Sequence, residues 1–167
     1  MKKYYIKNNL VTLRGNSYVL DEKGNKVYEV KGKLISLTHK KRLYNMEGKK
    51  LFTIRDKFWH FILDSVYIYN AEGKKVLKMK QRFFKSGFSF PINTYDFECE
   101  SVFLEGIHIK HNGVDVGLFR SEGTFTAAFI RDAFELEVYD ETYTEILIAM
   151  VIGFDNMRDS HKRDLNK

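Results

Sequence analysis

From Ile146 to Phe154 every residue but Gly153 is apolar, and this run lies close to the end of a 167-residue chain. It constrains the fold more than any other stretch. It is too short to cross a bilayer as a helix, which takes about 20 residues. It is longer than an ordinary strand and lacks the alternation of a half-buried one. The run therefore reads as a helix over 142–157, buried on all sides by what precedes it. An inner strand is the rival reading, because Ile146, Ile148, Val151 and Ile152 are β-branched.

What precedes the run reads as strands. Ser17–Leu20 and Lys26–Val30 flank Asp21-Glu22-Lys23-Gly24-Asn25, a turn in which Asp bonds the backbone and Gly accepts positive φ. The unit recurs around Gly48 and Gly73, at spacings of 24 and 25 residues. Such a run of hairpins predicts a meander that closes into a barrel. Asn112-Gly113 predicts a further hairpin, and Tyr95–Glu100 and Phe134–Tyr139 alternate as half-buried strands. The expected architecture is mainly β: about twelve antiparallel strands in a barrel that encloses the hydrophobic C-terminal helix. A barrel that wide leaves space its own side chains do not fill, and a helix would fill it. Residues 1–160 are expected to form a single domain, with 161–167 a mobile tail. Asp155, Arg158 and Asp159 are expected to mark where the helix enters solvent.

Charge divides the chain. Residues 31–85 hold 15 Lys/Arg against 4 Asp/Glu, whereas residues 86–150 hold 3 against 12. A basic half of this kind suits phosphate-bearing partners. Its candidate ligand cations are Lys40, Lys41, Arg42, Lys49, Lys50, Arg55, Lys57, Lys74, Lys75, Lys78, Lys80, Arg82 and Lys85. Lys78 and Lys80, two apart on one strand, share a face. Two connections mix aromatic and basic residues, with Phe58, Trp59, Phe61, Phe83, Phe84 and Phe88 as interface candidates. Such rings either dip into a lipid interface or plug the barrel ends.

Other chemistry finds little support. Cys99 stands alone, so no intrachain disulfide is expected. The five histidines lack zinc spacing, and neither a metal nor a cofactor is expected. No phosphate loop, nucleophile elbow or dinucleotide fingerprint occurs. The pairs Glu98/Glu100 and Glu135/Glu137 follow from strand alternation. Nucleic acid is a poor match despite the basic-aromatic mixture. No signal peptide or membrane span is evident, so the expected compartment is the cytoplasm.

Several spaced motifs carry a resemblance. They are Asp21-x-x-Gly24-x-x-Val27-Tyr28-x-Val30-x-Gly32-Lys33 with Ser36-Leu37, then Leu43-x4-Gly48-x-x-Leu51-x-x-Ile54-x-x-Lys57. Leu104-Glu105-Gly106 and Ile148-Ala149-x-Val151-Ile152-x-x-Asp155 follow. In order and spacing the chain resembles the LURP-one-related family of the tubby C-terminal-like superfamily, which includes the phospholipid scramblases. The resemblance implies a twelve-stranded barrel around a hydrophobic helix. Tubby domains bind phosphoinositide headgroups through surface cations. A non-enzymatic module is therefore expected, binding anionic lipid or a phosphate-bearing ligand and so peripheral at a membrane. The alternative is a structural or regulatory module that docks another protein or a second copy of itself.

Overall fold

The chain folds into twelve antiparallel strands followed by a helix in the computed structural model, which describes residues 1–7, 16–32, 40–56, 65–81, 88–102, 105–120 and 133–164. The strands are β1 (Lys2–Lys7), β2 (Asn16–Asp21), β3 (Lys26–Gly32), β4 (Lys41–Asn45), β5 (Lys50–Asp56) and β6 (Ser65–Tyr69). They continue as β7 (Lys75–Gln81), β8 (Phe88–Asn93), β9 (Phe97–Val102), β10 (Gly106–His111), β11 (Val114–Arg120) and β12 (Ala133–Val138). Along the sheet they lie in the order β8-β7-β6-β5-β4-β3-β2-β1-β12-β11-β10-β9. Sequence neighbours are spatial neighbours, and β1 joins β12 with Lys2 opposite Val138 and Lys7 opposite Ala133. The barrel is nearly closed. At the remaining seam, between β8 and β9, the Asn93 side chain stands in for a ladder rung. It donates to the Phe97 carbonyl at 2.7 Å and accepts from the Phe97 N–H at 3.1 Å.

The repeated hairpin is one turn built three times. Gly24, Gly48 and Gly73 have φ of +81°, +82° and +84°, where a Cβ would be strained. Each glycine N–H donates to the carbonyl of Asp21, Asn45 or Asn70, three residues back. The side chain of that same residue accepts from the N–H four positions on, in Asn25, Lys49 or Lys74, at 2.8 Å each time. Strand pairing places all these turns at one end of the barrel, with the turns at 94–96 and 112–113 and the start of the helix. Residues 8–15, 33–39, 57–64, 82–87 and 121–132 fall outside the described residues. So do the strands expected at Leu10–Leu13, Leu34–Leu37 and Phe125–Ile130.

Strand β8 was not anticipated, because Pro91 interrupts it and Gln81–Phe88 reads as a connection. Pro91 is exposed on a strand at the sheet edge, where its missing N–H leaves no rung unmade.

The apolar run is the expected helix, α1 (Thr144–Asp164), preceded by a 3-10 turn at Glu141–Tyr143. Asp140 starts it, its side chain accepting from the Thr142 N–H at 3.0 Å. Leu147 to Ile152 are fully buried on every side, which explains the absence of a polar face. Each such aliphatic side chain contributes about 1.5–3 kcal/mol by leaving water. Gly153 lets the wall close in: a Cβ there would lie 3.2 Å from Met79 Sδ and Val66 Cγ1. The helix backbone continues past 157 to Asp164, through residues expected in the tail. Asp155 does not mark emergence into solvent. It is wholly buried, because Lys41 of β4 reaches inward to meet it at 3.0 Å. Asn156 donates to Asp56 of β5 beside it, also at 3.0 Å.

Candidate functional site

Alternation along β2 to β7 sorts the basic half into two faces. Val19, Val30, Leu43, Ile54, Val66, Ile68, Leu77 and Met79 point inward to the helix. The positions between them carry Tyr18, Glu29, Lys31, Arg42, Tyr44, Thr53, Arg55, Tyr67, Tyr69, Lys75, Lys78 and Lys80 outward. Register joins these into rows across the wall. One runs Lys31–Arg42–Thr53–Tyr69–Lys75, and another Arg55–Tyr67–Lys78–Ile92. Neighbouring strands lie about 4.8 Å apart, so side chains in a row touch.

Most cations on this wall sit over tyrosine rings. Lys26 Nζ lies 3.9 Å from the centre of Tyr18, and Lys31 Nζ 4.8 Å from that of Tyr44. Arg55 Cζ is 4.9 Å from the Tyr69 centre. Lys75 Nζ reaches both Tyr67, at 4.5 Å, and Tyr69, at 6.0 Å. Lys78 approaches Tyr67 at 5.4 Å. The ring faces attract cations electrostatically without neutralising them. Lys31 also pairs with Glu29 at 3.0 Å, and that hydrogen bond raises its pKa. Among the described residues, Arg42, Arg55, Lys75, Lys78 and Lys80 have no carboxylate within ion-pair distance.

The acidic half behaves differently. Its carboxylates find cations within their own half or on β1. Lys3 and Arg120 bridge Glu135 and Glu137, with the Glu137 contacts at 2.8 Å each. Burial pushes the Glu137 carboxyl up, but hydrogen bonds from Lys3, Arg120 and Tyr139 outweigh it and hold the group at about 2. Burial and the bond to Glu137 push the Tyr139 hydroxyl up to about 12. Lys110 pairs with Glu100, and His108 lies between Asp115 at 3.1 Å and Glu105 at 3.4 Å. Glu100, Glu135, Glu137 and Glu141 are thus paired with lysine or arginine close by, whereas Arg42, Arg55, Lys75, Lys78 and Lys80 on the basic wall are not paired with acids among the described residues.

The structure divides the candidate cations. Arg42, Arg55, Lys75, Lys78 and Lys80 belong to the outer wall, and Lys50 pairs in register with Tyr44. Lys49 and Lys74 sit exposed in the turns at the barrel end. Lys40 is half-buried just before β4. Lys41 is no surface cation, since it lies on the inward face with Leu43 and meets Asp155. Phe88 is half-buried and turns toward the core: it opens β8 with its ring centre 4.5 Å from that of Phe154 on the helix. Lys57, Arg82, Lys85, Phe58, Trp59, Phe61, Phe83 and Phe84 lie outside the described residues. The sequence reading overlooked Tyr44, Tyr67 and Tyr69. Their signal was position: each alternates with core residues, Tyr44 on the cation-bearing β4 and Tyr67 and Tyr69 on β6 between the cation-bearing β5 and β7.

No group of three or more His, Cys, Asp or Glu among the described residues is arranged to hold a metal ion. No helix among them is long and apolar enough to cross a membrane.

A nearly closed twelve-stranded barrel around a buried C-terminal helix, with a cation-rich outer wall, defines a specific class of β protein. The LURP-one-related family model matches residues 2–155, and the chain belongs to that family. The fold is similar to a crystal structure of a protein from Arabidopsis thaliana. That likeness has a TM-score of 0.58 and 17% identity over 92% of this chain and 90% of the other. No curated protein matches the chain.

Proposed function

We propose that the chain is a non-enzymatic binding module that takes an anionic, phosphate-bearing ligand of a membrane surface on the outer wall of β3 to β7. One observation carries the reading. Arg42, Arg55, Lys75, Lys78 and Lys80 share a continuous face and have no carboxylate partner among the described residues. An exposed lysine usually finds an acid or is merely solvated. Here no carboxylate of the described residues reaches these five cations, and an external anion is what the wall lacks. Tyrosines suit a lipid interface, with an apolar ring and a polar tip. The alternative, a protein-docking module, calls for a flat apolar patch. The large exposed apolar side chains of the described residues are Met1, Met46, Val114 and Tyr139. They lie at turns and strand ends, not on the wall.

Vesicle co-sedimentation tests this reading. Vesicles with anionic lipid are expected to retain the protein at about 0.15 M salt, where the Debye length is about 8 Å, while neutral vesicles leave it in solution. Neutralising Lys78 and Lys80 together should weaken retention several-fold. Binding that disappears at that salt, or that ignores the double substitution, would sink the proposal.

A further inference from the structure

We propose that Lys41 and Asp56 latch α1 in one rotational setting inside the barrel, and that the latch serves unique packing more than net stability. Lys41 of β4 meets Asp155 at 3.0 Å, and Asp56 of β5 accepts from Asn156 Nδ2 at 3.0 Å. All four side chains are buried, Asp155 completely. The two strands are hydrogen-bonded neighbours. Lys41 lies opposite Ile54, and Asp56 lies two positions further along the same inward face. Asp155 and Asn156 are consecutive on the helix, so they point about 100° apart and each meets a different strand.

The apolar part of the helix does little to define how it is turned. From Ile146 to Ile152 it presents apolar side chains in every direction, all but Ile146 wholly buried. Apolar burial follows area and is not directional. Turning the helix by one residue brings one apolar side chain to the place of another. The polar contacts are not interchangeable in this way. Turned by one position, Asp155 loses Lys41, and both charges stay in an apolar interior without each other. Asn156 loses Asp56 as well. Gly153 makes the setting matter, because even a Cβ there would lie 3.2 Å from Met79 Sδ and Val66 Cγ1. In a turned helix a larger residue stands against that wall. The net stability of such a pair is small, since desolvation offsets the attraction of two buried charges. An apolar pair of similar volume holds the chain as firmly but has no preferred orientation. The latched strands also carry the outer wall: Arg42 follows Lys41 and Arg55 precedes Asp56, each on the opposite face.

The test compares the full chain with K41M, D155L and K41M/D155L by thermal melting and by proton–nitrogen correlation spectra. Each single substitution leaves the other charge without its ion-pair partner and should lower the melting midpoint by about 10 °C or more. K41M/D155L should melt at or above the wild-type midpoint. It should nevertheless show more than one peak for amides of residues 147–157, the mark of a helix with more than one setting. The double variant is decisive whether or not the single ones fold. I148V trims a methyl group from the same helix and should lower the midpoint while keeping single peaks. Single peaks throughout K41M/D155L would overturn the latch and leave Gly153 and Phe154 as sufficient to orient the helix. Multiple peaks in I148V would overturn it too, because any loosening of the core would then have that effect. A double variant melting as low as the single ones would overturn the claim that the pair adds little net stability.

Discussion

Gly106 shows how one residue can be fixed by its backbone. It opens β10 at φ +127°, a conformation that side chains rarely adopt. A Cβ there would lie 2.3 Å from the Phe119 carbonyl oxygen, a backbone atom of the neighbouring strand that cannot rotate away. Gly106→Ala is therefore expected to destabilise the fold by about 2–4 kcal/mol, read as a lowered midpoint in urea. An unchanged midpoint would mean that the β10–β11 pairing gives way at little cost. Lys41 carries the opposite lesson. Counting in twos from Leu43 already puts it on the inward face, but its charge made the surface the natural assignment. The buried partner, Asp155, lies 114 residues away, and no local pattern joins the two. Tyr67 and Tyr69 were equally visible as outward residues. What the sequence could not show is that their rings, and not carboxylates, would receive the cations.

At the scale of elements, the join between β1 and β12 matters most, because it unites the first and last strands of the chain. Its outer side carries Lys3, Arg120, Glu135 and Glu137 as one network. Glu137 titrates at about 2 in the fold, below the carboxyl's ordinary value of 4.5. A depressed carboxyl contributes stability that is complete above the unfolded value and is lost as pH falls from about 4.5 toward 2. With Lys3 and Arg120 partly solvated, the contribution is on the order of 2 kcal/mol. Urea unfolding at pH 6 and pH 3 should show wild type losing about 1 kcal/mol more than Glu137→Gln, since part of the contribution survives until pH 2. Equal losses would show that the network does not govern acid sensitivity. The hairpins and the helix were legible because glycine turns and apolar runs are local signals. Strand β8 was not, since Pro91 argues against a strand unless the strand is known to lie at an edge, and edges are set by the whole sheet.

For the whole molecule, the helix is the core. Inward residues of the strands pack on α1, as Phe119 and Phe88 do on Phe154. A chain ending at Tyr143 keeps the twelve strands but leaves their apolar faces around an empty centre. It is expected to lose cooperative thermal unfolding and near-ultraviolet circular dichroism, the behaviour of a collapsed chain without fixed packing. A sharp transition in that truncated chain would show that strand pairing alone sustains the barrel. Charge asymmetry was legible as a count, whereas its meaning was not. Only the folded arrangement reveals that Glu135 and Glu137 share Lys3 and Arg120 while the wall's Arg42, Arg55, Lys75, Lys78 and Lys80 meet no carboxylate among the described residues.

The helix is also made after every strand that surrounds it. Hairpins β2 to β7 can pair as they leave the ribosome, since each contact is between sequence neighbours. The core they surround does not exist until residues 146–157 have been synthesised, and β1 waits for β12 throughout. Until then the growing sheet carries an apolar face with nothing to cover it, which leaves it open to aggregation. Completion of this fold waits for residues 146–157 to clear the ribosome.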